Sequence, residues 1–207
     1  MSDFIRRKTW IIADTHFNHK KLCTKLGDNP PRPDDFERKI KTQWRAVIRD
    51  TDLVYHLGDV FLGKKKEFAP CIESLPGIKI LIQGNHDRAT RHWYLNHGFV
   101  AVMDFVALKV HMIDRVSGGT EETRVILSHT PIDIIHSMDI STINIHGHFH
   151  NCVRESWDPK LEKRLTPYHY LFSLEKRKWR PLQIERAMMG QLIRTDLVRK
   201  SYWRSSW

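Results

Sequence analysis

Short apolar runs punctuate this chain, and one longer stripe at helical spacing interrupts them. Residues 8–13 (KTWIIA) form a β-branched run between polar residues and predict a first strand. A proline-rich stretch, GDNPPRPD at 27–34, is turn chemistry. After it, Phe36, Ile40, Trp44, Val47 and Ile48 recur at helical spacing and predict a helix from Asp34 to Asp50. Asp34 with Glu37 three positions on reads as a capping box. Further strands are predicted at 53–57 and 78–82, with helices at 65–74 and 88–97; Leu75-Pro76-Gly77 and Gly98 stop the helices.

From residue 99 the pattern turns mainly to strands, at 99–102, 105–113, 123–127 and 142–145. Ser117-Gly118-Gly119 predicts a hairpin turn between the second and third of these. Residues 168–174 and 179–184 read as another hairpin, with the charged segment 175–178 at its tip. From Glu185 the chain is weakly helical and then polar-aromatic.

The 207 residues suit one domain with a sizeable core, expected at 1–185 with a basic aromatic tail at 186–207. Every apolar run is shorter than the roughly 20 residues that span a bilayer, and the N-terminus lacks a signal cleavage pattern. No membrane role and a cytoplasmic location are therefore expected. Three scattered cysteines, Cys23, Cys71 and Cys152, form no CxxC pair and read as free thiols of a reducing compartment. The net charge is +10, of which residues 151–207 carry +7 and residues 1–150 carry +3. Such a basic excess favours anionic partners.

Chemistry gathers where the strands end. Asp14-Thr15-His16 follows the first strand, Gly58-Asp59 the second and Gly84-Asn85-His86-Asp87 the third. Ser128-His129 follows residues 123–127, and His146-Gly147-His148-Phe149-His150 follows residues 142–145. Carboxyl ends of strands in an α/β sheet collect at one edge, where sites form. Asp, Asn and Gly at strand ends are common for turn reasons, but Asp plus His at nearly every one is not. His148 and His150 share a face of an extended segment, so they suit one metal, or one each of two neighbouring metals. Carboxylate, amide oxygen and imidazole suit Mn, Fe or Zn, and the lack of thiolate speaks against a structural zinc site.

In type and order these five blocks resemble those of the calcineurin-like metallophosphoesterases. The segments DTHFNHKKL and YHLGD, with the strand before RPLQIE, look most like the small phosphoesterases of bacteria and phages. The resemblance implies an α/β fold of two mixed β-sheets packed as a sandwich and flanked by helices. It implies two divalent transition-metal ions, Mn first, with Fe, Zn or Ni as alternatives. Asp14, His16 and His150 would hold one ion, Asn85, His129 and His148 the other, and Asp59 would bridge them. It further implies phosphoester hydrolysis by a hydroxide shared between the ions, with His86 as general acid. Asp87 would orient His86 or pair with Arg88. His146 falls outside the pattern as a supporting polar residue. His19, Arg32 and Arg88 border the blocks and are candidate substrate contacts through charge-assisted hydrogen bonds.

Departures narrow the substrate. Phosphoprotein phosphatases carry GDxxDRG where this chain has GDVFLG, and Leu62 stands where purple acid phosphatases need tyrosine. Cations in the last quarter interleave with Trp157, Tyr168, Tyr170, Trp179, Tyr202 and Trp203, a composition suited to nucleic acid. A solvated basic face with its aromatics in the core would carry the same composition. The leading expectation is a phosphodiesterase on a nucleotide or single-stranded nucleic acid. A phosphomonoesterase on a small metabolite and a non-catalytic scaffold of the same fold are the alternatives. Oligomeric state is left open.

Overall fold

The computed structural model describes residues 7–24, 31–113, 120–134, 141–150, 160, 165–187 and 193–194. Within these, β1 (Thr9–Ile12), β2 (Leu53–His56), β3 (Ile78–Ile82) and β4 (Phe99–Met103) run parallel to their neighbours. A two-residue strand, β9 (Leu182–Gln183), pairs antiparallel with β1, and the sheet order is β4, β3, β2, β1, β9. The second sheet holds β5 (Phe105–Ile113), β6 (Thr120–Ser128), β7 (Ser141–His146), β8 (His169–Leu171) and β10 (Ile193–Arg194). Its order is β10, β8, β7, β6, β5, with β6–β7 and β7–β8 parallel and the outer pairs antiparallel. One residue, Asp104, carries the chain from the edge of one sheet to the edge of the other. Two mixed sheets with flanking helices make the expected α/β sandwich.

The stripe at helical spacing forms α1 (Phe36–Val47), which sets Phe36, Ile40 and Trp44 in the core. Further helices are α2 (Lys65–Glu73), burying Phe68 and Ile72, α3 (Arg91–Asn96), burying Tyr94 and capped by the Thr90 hydroxyl, and a single turn at Ile184–Arg186 that buries Ile184. Ile11, Ile12, Val54 and Leu81 from the first sheet join Val125, Leu127 and Ile145 from the second in one continuous core. Burial at about 25 cal/mol per Å² of apolar surface is what holds the two sheets together.

Two sequence expectations fail locally. The capping box does not form: α1 starts one residue later, and Glu37 Oε1 accepts a hydrogen bond from the Asn18 amide at 2.8 Å. The pair 168–174 and 179–184 is not a hairpin, because β8 and β9 lie in different sheets and a 3₁₀ turn at Glu175–Arg177 links them. The predicted turn at 117–119 lies outside the described residues, although β5 and β6 do pair antiparallel around it. Cys23 and Cys71 are free thiols, whereas Cys152 lies outside the described residues. Among the described residues no helix is long and apolar enough to cross a membrane. Of the expected tail, Ile193–Arg194 pairs with β8 in the second sheet.

Candidate metal centre

Parallel pairing of β1, β2 and β3 brings the loops after them to one edge, and β6 and β7 deliver their loops to the same place. Backbone hydrogen bonds tie the loops together: His16 N donates to Asp59 O at 3.0 Å, and Gly147 N to His129 O at 3.0 Å. Two close approaches require glycine. A Cβ on Gly147 would lie 2.7 Å from Asp14 Oδ2, and one on Gly84 would strike the Asp59 carboxylate. Asp14, His16, Asp59, His148 and His150 all adopt positive φ, between 45° and 70°. That region is sparsely populated by residues with a Cβ and costs on the order of 1–3 kcal/mol each. Five such residues at one edge mark a place where side-chain aim outweighs backbone comfort.

The side chains converge into two groups. Asp14, His16 and His150 place one ligand-type atom each within 4.8 Å of one another, and so do Asp59, His129 and His148. Asn85 joins the second group: its Oδ1 lies 2.8 Å from His129 Nε2 and 3.1 Å from His148 Nδ1. Asp59 touches both groups, with Oδ2 3.5 Å from His16 Nε2 and 3.4 Å from His129 Nε2. His129 Nδ1 faces the Leu57 carbonyl at 2.7 Å. A carbonyl only accepts, so Nδ1 carries the proton and Nε2 presents a lone pair. That lone pair and the Asn85 oxygen then face each other at 2.8 Å with no proton between them. A cation resolves the repulsion, and the nitrogen and oxygen donor set suits a divalent transition metal.

Burial sets the protonation of these side chains. It pushes the Asp14 carboxyl up to about 8 and raises Asp59 as well. It pulls His129 and His148 down to about 4 each and His16 well below its ordinary value. The imidazoles are thus neutral, the form a metal requires, and a cation would restore ionised carboxylates.

The remaining candidates are placed as follows. His86 stands half-buried at the rim, its ring 5.5 Å from that of His16, and its backbone N–H donates to Asp59 Oδ1 at 2.8 Å. The His19 ring is 5.3 Å from that of His16. Arg88 is exposed and lines a cleft that His86 also lines. Asp87 neither orients His86 nor pairs with Arg88. Its buried carboxylate accepts from the amides of Asp59, Val60 and Gly84 at 2.8–2.9 Å and from the Tyr94 hydroxyl at 3.2 Å. It is a clamp that fixes the Asp59 loop to the Asn85 loop.

Arg32 is likewise turned inwards, 4% exposed, donating to the carbonyls of Asp14 and Thr15 and to Glu175 at 2.6 Å. Its donors are taken up behind the site rather than offered to substrate. His146 is buried against Phe149, with Nδ1 2.9 Å from Gly147 O.

Glu175 is the functional residue the sequence reading missed. Its Oε1 lies 3.3 Å from His150 Nδ1 and its Oε2 accepts from Ser173 Oγ at 3.0 Å. Burial alone would push this carboxyl up, but Arg32 and His150 bring it well below the ordinary carboxylate range. A carboxylate that accepts a hydrogen bond from Nδ1–H leaves Nε2 for the group of His16 and Asp14. In the sequence it is one acid among lysines and arginines, 25 residues from its histidine, and carries no local signal.

A family model, the calcineurin-like phosphoesterase superfamily domain, matches residues 8–161. An uncharacterized protein of Methanocaldococcus jannaschii is 36% identical across 40% of this chain, and the match spans about half of that protein, 48%. The Gene 66 protein of Mycobacterium phage L5 is 28% identical over 69% of this chain and 77% of its own length. A crystal structure of a protein of unknown function from Aquifex aeolicus superposes with a TM-score of 0.55 at 22% identity, covering 88% of this chain and 98% of that one. That likeness concerns the fold.

Proposed function

Because the chain belongs to the calcineurin-like phosphoesterase superfamily, we propose that it is a two-metal phosphoester hydrolase acting as a phosphodiesterase on a nucleotide or nucleic acid. The family match and the two clusters support a metal-dependent phosphoesterase. The observation that carries the two-metal reading is Asp59, whose carboxylate lies within 3.5 Å of a histidine from each group.

In this reading Asp14, His16 and His150 would hold one divalent ion and Asn85, His129 and His148 the other, with Asp59 within reach of both groups. Manganese is the first choice, with iron, zinc and nickel compatible with the same donors. Such ions, when bound, supply Lewis-acid polarisation of the phosphate and acidify water. The chain's own residues do the rest. The neutral imidazoles and the Asn85 amide oxygen aim at fixed points because their loops are tied by backbone hydrogen bonds and the Asp87 clamp. His86 stands outside both groups with its backbone fixed on Asp59, so its ring is free to donate a proton to the leaving oxygen.

Reconstitution with Mn²⁺ should load two ions per chain, and a chelator should abolish hydrolysis in a screen of diester, monoester, cyclic-nucleotide and nucleic-acid substrates. His86→Ala should keep both ions while kcat falls about 10²–10⁴-fold, and less for a nitrophenol leaving group that needs little protonation. Loss of the ions in that variant would reassign His86 as a ligand. Monoesters turned over faster than every diester would move the reading to a phosphomonoesterase.

A further inference from the structure

Beside the metal-type groups lies a cleft of ≈ 660 Å³ that begins at His86 and His19. That volume falls within the range of sites for ligands of nucleotide size. Its charged lining is Lys20, Lys21, Lys65 and Arg88, and no carboxylate lines it. All four are exposed. Among the described residues none of the four is in an ion pair with a carboxylate. Glu67, two positions from Lys65, is occupied by Lys64 at 3.6 Å and by the Asn18 amide at 3.3 Å.

The cleft's walls are tied to each other and to the core. One wall is the 3₁₀ turn Lys20–Cys23, and the other is the loop that leads into α2. Phe17 N donates to Val60 O at 3.0 Å and Leu62 N to Phe17 O at 2.9 Å, which joins the walls. Phe61 at the floor stacks on Phe68 with ring centroids 4.2 Å apart. Lys65 Nζ sits over the Trp93 ring at 5.9 Å, which steadies its stem along the wall.

A single phosphate at the metal groups already meets their cations and His86, so four more unpaired cations beside it exceed what one phosphate needs. We propose that this cleft binds a second phosphate group of the substrate, and that the protein acts on phosphoesters carrying at least two phosphates, a phosphorylated nucleotide or a nucleic-acid strand. Lysine ammoniums serve as point charges for the second phosphate, and Arg88 adds a planar donor between it and the first. The inference rests on the phosphoesterase reading and adds an anion-binding surface beside it. Sequence charge pointed to the last quarter of the chain, much of which lies outside the described residues, and these four cations are a separate set beside His86.

The test compares one scissile bond in three contexts. Thymidylyl-thymidine without terminal phosphate, with a 5′-phosphate and with a 3′-phosphate are assayed with the Mn²⁺-loaded protein. At least one terminal phosphate should lower KM about tenfold, the worth of one or two charge-assisted hydrogen bonds. Replacing Lys20, Lys21 and Lys65 together by Ala should erase that difference. Calorimetry gives a readout independent of turnover. Thymidine 3′,5′-bisphosphate should bind about tenfold tighter than thymidine 5′-phosphate, and the triple variant should bind both alike. If the thermal midpoint of the triple variant drops, the single variants Lys20→Ala and Lys65→Ala carry the comparison. A tetrathymidylate that binds tighter than the bisphosphate identifies a strand as the occupant, and equal affinity identifies a nucleotide. Equal affinity of wild type for mono- and bisphosphate, or a preference that survives the triple variant, overturns the proposal. Failure to hydrolyse any of the three dinucleotides while the bisphosphate preference holds would instead strike the phosphodiesterase reading.

Discussion

His150 shows how one side chain depends on residues far along the chain. Glu175 and Arg32 meet at its Nδ1, at 3.3 Å and 3.1 Å, and Asp14 stands on its other side as a partner within ligand reach. Burial alone would pull its pKa down, but Asp14 and Glu175 outweigh burial and hold it above the ordinary imidazole value. Glu175→Gln keeps the shape and still offers Arg32 an oxygen, but removes the charge that fixes the ring. Outer partners of ligand histidines are worth about 10–100-fold in metal affinity. One of the two ions should therefore come off that much more easily in Glu175→Gln, measured by chelator competition, while the other stays. Equal retention of both ions would confine Glu175 to pairing with Arg32. The seven ligand-type residues were legible because each sits directly after an apolar run, where residue type and spacing are local properties. Glu175, Arg32 and the clamp of Asp87 were not, since their meaning lies in contacts between segments.

At the scale of elements, hydrophobic period places most strands and the helices α1, α2 and α3 within a few residues, because burial of one face dictates both. It fails where a tertiary partner outbids a local one. Glu37 leaves the helix cap for the Asn18 amide, and β9 leaves its neighbour in sequence for β1 in the other sheet. Tyr170 and Trp179, for which composition left both a nucleic-acid surface and the core open, pack against the core. His56 in β2 is a further case. The Thr15 hydroxyl donates to Val60 O at 2.8 Å, so its oxygen accepts from His56 Nε2 at 2.9 Å. Nδ1 is buried with no hydrogen-bond partner among the described residues, so a second proton has nowhere to go. Burial pulls the His56 pKa from 6.5 down to about 3. The unfolded chain therefore takes up a proton that the folded one refuses, and stability falls as pH drops through 6.5 towards 3. The slope from this residue is on the order of 1.4 kcal/mol per pH unit within that window. His56→Gln, which cannot titrate, should flatten the fall of the unfolding free energy between pH 6 and about 4, as denaturant titration at several pH values would measure. An unchanged slope would place the acid sensitivity in the other buried histidines.

At the scale of the whole molecule, the candidate centre is where the two sheets are joined. Asp14, His16, Asp59 and Asn85 come from loops after strands of the first sheet, and His129, His148 and His150 from loops after strands of the second. Without cations this seam holds raised carboxyls beside the rings of His16, His129 and His148, whose pKa burial pulls down, a costly arrangement. Ions that bind only the folded chain stabilise it by mass action, by about 2.7 kcal/mol at a hundredfold excess over Kd. For a chain of this size each kcal/mol moves Tm by about 2–4 °C. Loading two Mn²⁺ ions at that excess, each adding that amount, should therefore raise the thermal midpoint by about 11–22 °C over the chelated protein. The variants rank by how many groups each residue serves. Asp59→Asn, which touches both groups, should lose most of the shift. Asp14→Asn should lose only the part due to one ion. Asp87→Asn should lower the midpoint of the chelated protein itself, because its carboxylate binds three backbone amides and a hydroxyl rather than an ion. Scanning calorimetry on the four proteins separates these effects. Identical midpoints for the loaded and chelated wild type would mean that the seam holds without ions, and would remove the structural basis for the two-metal reading.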